Sequence, residues 1–309
     1  MKSKIWVALI TLYIVWGSTY FGIKVAIETI PPFFHAAIRF LISGVLILLW
    51  QKAAGQEMPT RRQWGSTFII GNLLLLGGNG LVSWAEQFIP SGIAALTIAT
   101  VPLWLVILEA MRPGGIKPTW QAITGLAIGF LGIFILVGPA EFSGGGMKLD
   151  PFGVIALLTA CILWAIGSIY SKSADLPKSS FMTTGAEMLM GSIGLIVVSL
   201  LTGELNGWNP AETSTRSLIG LVYLITIGSI IGFGSYIWLL QNAPISLVAT
   251  YAYVNPIVAV ILGYLFGNEA LEPRIWLATA IIIGAVIFIN SRGRPRVQKE
   301  AEEVFSSGK

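Results

Sequence analysis

Val15 to Lys24 read VWGSTYFGIK, and Leu163 to Lys172 read LWAIGSIYSK. Both stretches set a tryptophan eight residues before a lysine, Trp16 with Lys24 and Trp164 with Lys172. Working outward, Gln87, Pro90 and Pro102 recur with identical spacing as Gln241, Pro244 and Pro256, and Arg39 and Glu187 occupy matching positions. The offset stays near 150 residues throughout, the mark of one unit written twice. Each copy carries five long apolar segments. Five is odd, so a helical second copy must enter a membrane from the side opposite the first, as in the inverted repeats of secondary transporters. The expected fold is therefore all-α and membrane-integral, ten transmembrane helices in two inverted five-helix repeats at residues 1–140 and 141–292. A charged cytosolic tail follows at 293–309.

Composition agrees. With 55% hydrophobic and 11% charged residues and a mean hydropathy of +0.78, the chain cannot clothe a soluble surface, which needs roughly a quarter charged residues. Ten apolar stretches are legible, at 5–27, 33–50, 64–88, 92–110, 120–137, 152–170, 181–201, 218–240, 247–266 and 275–289. Most have the roughly 17 to 25 residues that a bilayer core requires. The first is too long for a cleaved leader and no small-x-small site follows it, so it is expected to remain as a helix. One cysteine, Cys161, excludes an internal disulfide.

The net charge of +4 reflects orientation and not a nucleic-acid partner. With a cytosolic N-terminus, fourteen lysines and arginines fall on the cytosolic side and only Lys148, Arg216 and Arg274 on the other. That asymmetry predicts both termini in the cytosol. Glycines within the spans, among them Gly125, Gly129, Gly132, Gly228 and Gly232, let helices approach closely. They serve either packing within the chain or a homodimer seam on the fifth or tenth helix.

Depth and periodicity nominate a central site. Trp16 and Trp164 lie near mid-span, as do Pro102 and Pro256, each of which removes a backbone donor and frees the carbonyl four residues earlier, Ile98 and Ala252. Trp16, Tyr20 and Lys24 share one helix face, as do Trp164, Ser168 and Lys172, and Asn79, Ser83 and Gln87. Thr97, Thr100 and Trp104 on the fourth helix and Tyr251 and Asn255 on the ninth complete an aromatic and amide-lined cavity. Taken singly, each aromatic is as well explained by packing; the convergence of five helices is what points to a small-molecule site. Trp6, Trp50, Trp64, Trp120 and Trp276 sit near span ends as interfacial anchors.

The charges in the spans are few. Arg39 either snorkels to the outer interface or serves transport. Glu187 snorkels poorly and is expected to pair with Lys172 or to carry protons; Lys24 is placed for a local pair with Glu28. His35 stands without Asp, Glu or Cys neighbours, so no metal and no cofactor is expected.

The stretches YIVWGSTYFGIK (13–24), PSGIAALTIATVPLW (90–104) and ATYAYVNPIVAVILG (249–263), in this order, resemble the EamA-type permeases of the drug/metabolite transporter superfamily, in particular the bacterial inner-membrane members of the YedA type. The resemblance covers residues 5–292. It implies ten helices in two inverted repeats, a multi-pass protein of the prokaryotic plasma membrane, and export or exchange of small organic solutes such as amino acids. It further implies a cavity lined by helices 1, 3, 4, 6, 8 and 9. A Gly-Glu pair is frequent after the ninth helix, and Gly267, Asn268 and Glu269 come near it; after the fourth helix Arg112, Pro113, Gly114 and Gly115 stand instead. Two other classes compete. A lipid-active membrane enzyme calls for clustered acids and histidines at the interface, and a channel calls for charged rings or a carbonyl filter. Neither pattern is present, nor is a Walker A sequence.

Overall fold

The structure, a computed structural model, describes residues 2–115, 117–137, 149–243, 245–248 and 250–290. Lys148, Pro244 and the tail at 293–309 lie outside them. Among the described residues every regular element is a helix, with no strand. The helices are α1 Lys2–Ala26, α2 Pro32–Ala53, α3 Arg61–Ala85, α4 Ser91–Met111, α5 Trp120–Val137, α6 Pro151–Ser171, α7 Ser180–Leu201, α8 Thr215–Leu239, α9 Tyr251–Gly267 and α10 Pro273–Asn290. Seven of them, α1 to α4 and α6 to α8, are long and apolar enough to cross a membrane; the apolar helices within α5, α9 and α10 are shorter.

The boundaries follow local chemistry. Thr60 and Gln63 form a reciprocal capping box at the start of α3, and Asp150, Ser179 and Ser214 accept from the main-chain N–H groups of Gly153, Met182 and Ser217 at the starts of α6, α7 and α8. Each satisfies a donor left open by the first helical turn. α9 ends on Asn268, whose φ of 51° is the left-handed stop that asparagine tolerates.

Packing is pairwise. α2 lies along α7 and α5 along α10, while α1 lies on α8 and α9, and α6 on α3 and α4. Small residues set the approach: a Cβ on Gly44 of α2 would stand 2.7 Å from the Leu189 nitrogen of α7. The glycines of α5 are used the same way, Gly129 against Leu103 and Gly132 against Ile282. The buried core runs between these pairs through residues such as Leu96, Leu136, Leu157 and Ile282.

Two departures from regular helix position the centre of the molecule. α3 widens into a π-helix over Asn72–Gly80, and α8 does so over Leu224–Ile231. Stretches of π-helix are rare and gather at functional sites. They also shift the register, so Asn79, Ser83 and Gln87 do not share one face as a 3.6-residue period predicts: Ser83 is buried, Asn79 half-buried and Gln87 exposed. The two inner prolines act differently from one another. α4 is interrupted at Ala99–Thr100 and restarts with Pro102 in its second position. Pro256, in contrast, lies inside unbroken helix in α9. The expected symmetry of two equivalent proline breaks is corrected accordingly.

Candidate transport site

Trp16 is the hub of the centre. Its ring centroid lies 5.1 Å from Phe233 and 5.1 Å from Tyr236 on α8, and 5.0 Å from Tyr251 on α9, with Tyr236 and Tyr251 5.8 Å apart. Edge-on and tilted contacts of this kind suit the ring quadrupoles. Around this cluster the Tyr13 and Thr250 hydroxyls share a hydrogen bond. The Asn255 amide donates to the Tyr251 carbonyl at 3.0 Å and the Tyr13 carbonyl at 3.2 Å. Rings and one amide thus tie α1, α8 and α9 together.

The matching tryptophans make matching contacts. The Trp16 indole packs on Gly232, where α8 leaves its π-helix, and Trp164 of α6 packs on Gly78 inside the π-helix of α3, where a Cβ would stand 2.6 Å from Trp164 Cε3. Gly78 and Gly232 are 154 residues apart (232 − 78), the offset that also separates Pro102 from Pro256 (256 − 102). In each case only a glycine leaves room for the indole.

Charge gathers beside the rings. Glu86, at the end of α3, is fully buried and neither carboxyl oxygen has a hydrogen-bond partner. Lys24 Nζ donates to the Glu86 main-chain carbonyl at 2.6 Å. Arg39 is buried, 4% exposed, so it does not snorkel; its Nε donates to Ser229 Oγ in the π-helix of α8 at 3.0 Å and its Cζ lies 4.8 Å from the Phe40 ring centroid. Two acids of the second half cap helices of the first. Glu204 accepts from the Phe33 and Phe34 N–H groups at 3.2 and 2.7 Å, and Glu269 accepts from Ser91 N, Ser91 Oγ and Gly92 N at 2.6, 2.7 and 3.0 Å.

The sequence-predicted residues distribute unevenly. Trp16, Tyr251 and Asn255 come together. Tyr20 and Lys24 lie beside Glu86. Trp164 sits on the α3 side, and Ser168 Oγ donates to the Trp164 carbonyl within α6. Thr100 Oγ1 donates to the Thr97 carbonyl at the α4 break. Trp104 stacks edge-on against Phe130 of α5 at 5.4 Å. Both expected ion pairs are corrected: Lys24 does not pair with Glu28, which pairs with Arg216 at 3.3 Å, and Lys172 reaches Glu109 at 3.9 Å and not Glu187. Glu187 lies half-buried on α7, its carbonyl against Gly71 of α3. The rings of Trp16, Phe233, Tyr236 and Tyr251 touch one another. A groove of about 710 Å³ lies between α1, α8 and α9, walled by Phe21, Gly22, Tyr223, Leu262 and Phe266. Phe233, Tyr236 and Glu86 were missed by sequence reasoning. Glu86 was findable, because it falls inside the third apolar stretch and an ionisable residue there is a functional candidate.

The chain is 41% identical over 286 residues to the uncharacterized inner membrane transporter YedA of Escherichia coli, covering 91% of this chain and 89% of that protein. It is 23% identical to the uncharacterized transporter YoaV of Bacillus subtilis (93% and 97% covered) and 25% identical to protein PecM of Dickeya dadantii (89% and 88%). A solved crystal structure shares the fold with a TM-score of 0.63 at 19% identity, covering 94% of this chain and 98% of the other. The EamA-like transporter model matches twice, at residues 3–138 and 151–291. Both halves of the helical assembly, each bringing a tryptophan onto a glycine at a π-helix, fall within those matches, and the chain belongs to the EamA-like transporter family.

Proposed function

We propose that this chain is a secondary transporter of the prokaryotic inner membrane that exports or exchanges small organic solutes, amino acids or related metabolites, by alternating access. In this reading residues 1–140 and 141–292 are two inverted five-helix repeats, both termini are cytosolic, and the bilayer and the solute are the partners. The solute binds between the halves at Trp16, Tyr20, Asn79, Ser83, Thr100, Trp104, Trp164, Ser168, Tyr251 and Asn255, with the break before Pro102 in α4 and the backbone donor missing at Pro256 within the continuous helix α9 as the points about which those helices adjust. The two halves then exchange the tight and open arrangements of their aromatic seams.

The observation that carries this reading is the paired contact of Trp16 on Gly232 and Trp164 on Gly78. Two equivalent seams, each at a π-helix, give a transporter two gates of like construction on opposite repeats. Rings in mutual contact on one seam are consistent with a closed gate. The test is substrate protection in a background with Cys161 replaced. Cysteines at Tyr20, Asn79 and Asn255 should lose reactivity toward a small thiol reagent when a solute from an amino acid and metabolite panel is bound. Protection of none of the three by any solute that the protein transports moves the site elsewhere.

A further inference from the structure

Glu86 has no role in the solute site outlined above, yet its placement is costly. Its side chain is 0% exposed and both carboxyl oxygens lack a donor. A neutral acid tolerates such a position far better than a bare carboxylate. The groups that face it come from several elements. Lys24 of α1, Arg39 of α2 and Glu269 of the α9–α10 turn act on it, Tyr20 of α1 lies beside it, and Cys161 of α6 and Tyr251 of α9 lie beside Tyr20 in turn. Among these, Arg39 is engaged with Ser229 and Phe40, and Glu269 with the start of α4. Lys24 is the cation with a choice: its ammonium rests on the carbonyl of Glu86, on the same residue as the unpartnered carboxyl.

We propose that Glu86 is the proton-carrying carboxyl of the transport cycle, an inference that rests on the transporter reading above. In the arrangement described here Glu86 holds the proton and Lys24 is parked on its main-chain carbonyl. In the alternate arrangement the proton leaves to water and the carboxylate takes the Lys24 ammonium as an ion pair. The lysine stays protonated throughout, so each passage moves one proton. The exchange redirects Lys24 of α1 against the end of α3, and α1 is the helix that carries Trp16, so protonation is coupled to the aromatic seam.

Infrared titration of the whole protein in lipid tests the binding step without a known solute. The wild type should show a protonated-carboxyl C=O band at neutral pH that disappears as pH rises, and Glu86→Gln should lack it. Glu86→Asp should retain a displaced band, which separates loss of the proton from loss of the fold. A second arm uses proteoliposomes loaded with the pH dye pyranine and challenged with labelled L-amino acids. Solute entry should change the internal pH for the wild type and for the surface control Glu212→Gln, while Glu86→Gln moves solute by exchange with no pH change. Persistence of the band in Glu86→Gln overturns the proposal, as does solute movement by the wild type with no proton movement. So does a pH change lost in Glu187→Gln but kept in Glu86→Gln. If the wild type moves no solute at all, the transporter reading fails, and the infrared band alone then decides whether Glu86 binds the proton.

Discussion

Glu269 is one of the side chains that join the two halves of the protein, and its replacement by glutamine should be felt in the stability of the whole molecule. The carboxylate accepts from Ser91 N and Ser91 Oγ with one oxygen and from Gly92 N with the other, at 2.6, 2.7 and 3.0 Å. The two main-chain donors among them are open N–H groups of the first turn of α4, where the helix dipole favours negative charge. In Glu269→Gln the amide oxygen can keep the Ser91 donors, but the amide NH₂ then faces the Gly92 N–H, donor against donor. The loss is one charge-assisted hydrogen bond, about 1.5–3 kcal/mol, and the charge–dipole interaction, about 0.3–1 kcal/mol, together roughly 2–4 kcal/mol. Because the effect arises at the contact of α4 with α9, it should appear as a lower melting temperature of the purified protein, by several degrees at roughly 2–4 °C per kcal/mol. Glu269→Asp should lie between, keeping the charge but losing reach. A Gln variant that melts with the wild type would refute the reasoning and leave the α4 start held by packing alone.

Other substitutions address the seams and the orientation. Gly78→Ala would set a Cβ 2.6 Å from Trp164 Cε3, and overpacking of this kind costs about 1–3 kcal/mol. Pairing it with Trp164→Phe should recover at least about 0.5 kcal/mol of that in thermal unfolding, since contacting sites are not additive; strictly additive losses would show that the ring does not press on the glycine. Trp16→Phe and Trp164→Phe should leave the folded yield near wild type while changing apparent solute affinity about two- to tenfold, the worth of an aromatic contact of about 0.5–1.5 kcal/mol. Trp120→Phe, at an 80% exposed anchor, should change neither quantity. For orientation, a cysteine at Gln56 should be shielded from an impermeant thiol reagent in intact cells and one at Glu212 labelled; the reverse pattern inverts the topology.

The sequence by itself determined where the helices run and that the chain is built twice. Lipid offers no partner to a backbone N–H or C=O, so every spanning segment must satisfy itself as a helix, and apolar length then reads out directly. Each of the ten apolar stretches overlaps one of α1 to α10, although α9 begins only at Tyr251, and the spacing of Trp16 and Trp164 led to the two indoles that meet Gly232 and Gly78. Which groups answer which was decided only by the tertiary structure. Local spacing offered Glu28 to Lys24, yet the ammonium reaches the carbonyl of Glu86, 62 residues away; hairpin proximity offered Lys172 to Glu187, yet it faces Glu109. Even the cap on α4 comes from Glu269, 178 residues distant. Helical periodicity also misplaced the Asn79 face, because nine residues of π-helix shift the register by an amount that no 3.6-residue pattern records. A charge in a low-dielectric interior takes whichever partner the packing of remote helices brings within a few ångströms, and that choice is a property of the assembled helices, invisible along any one of them.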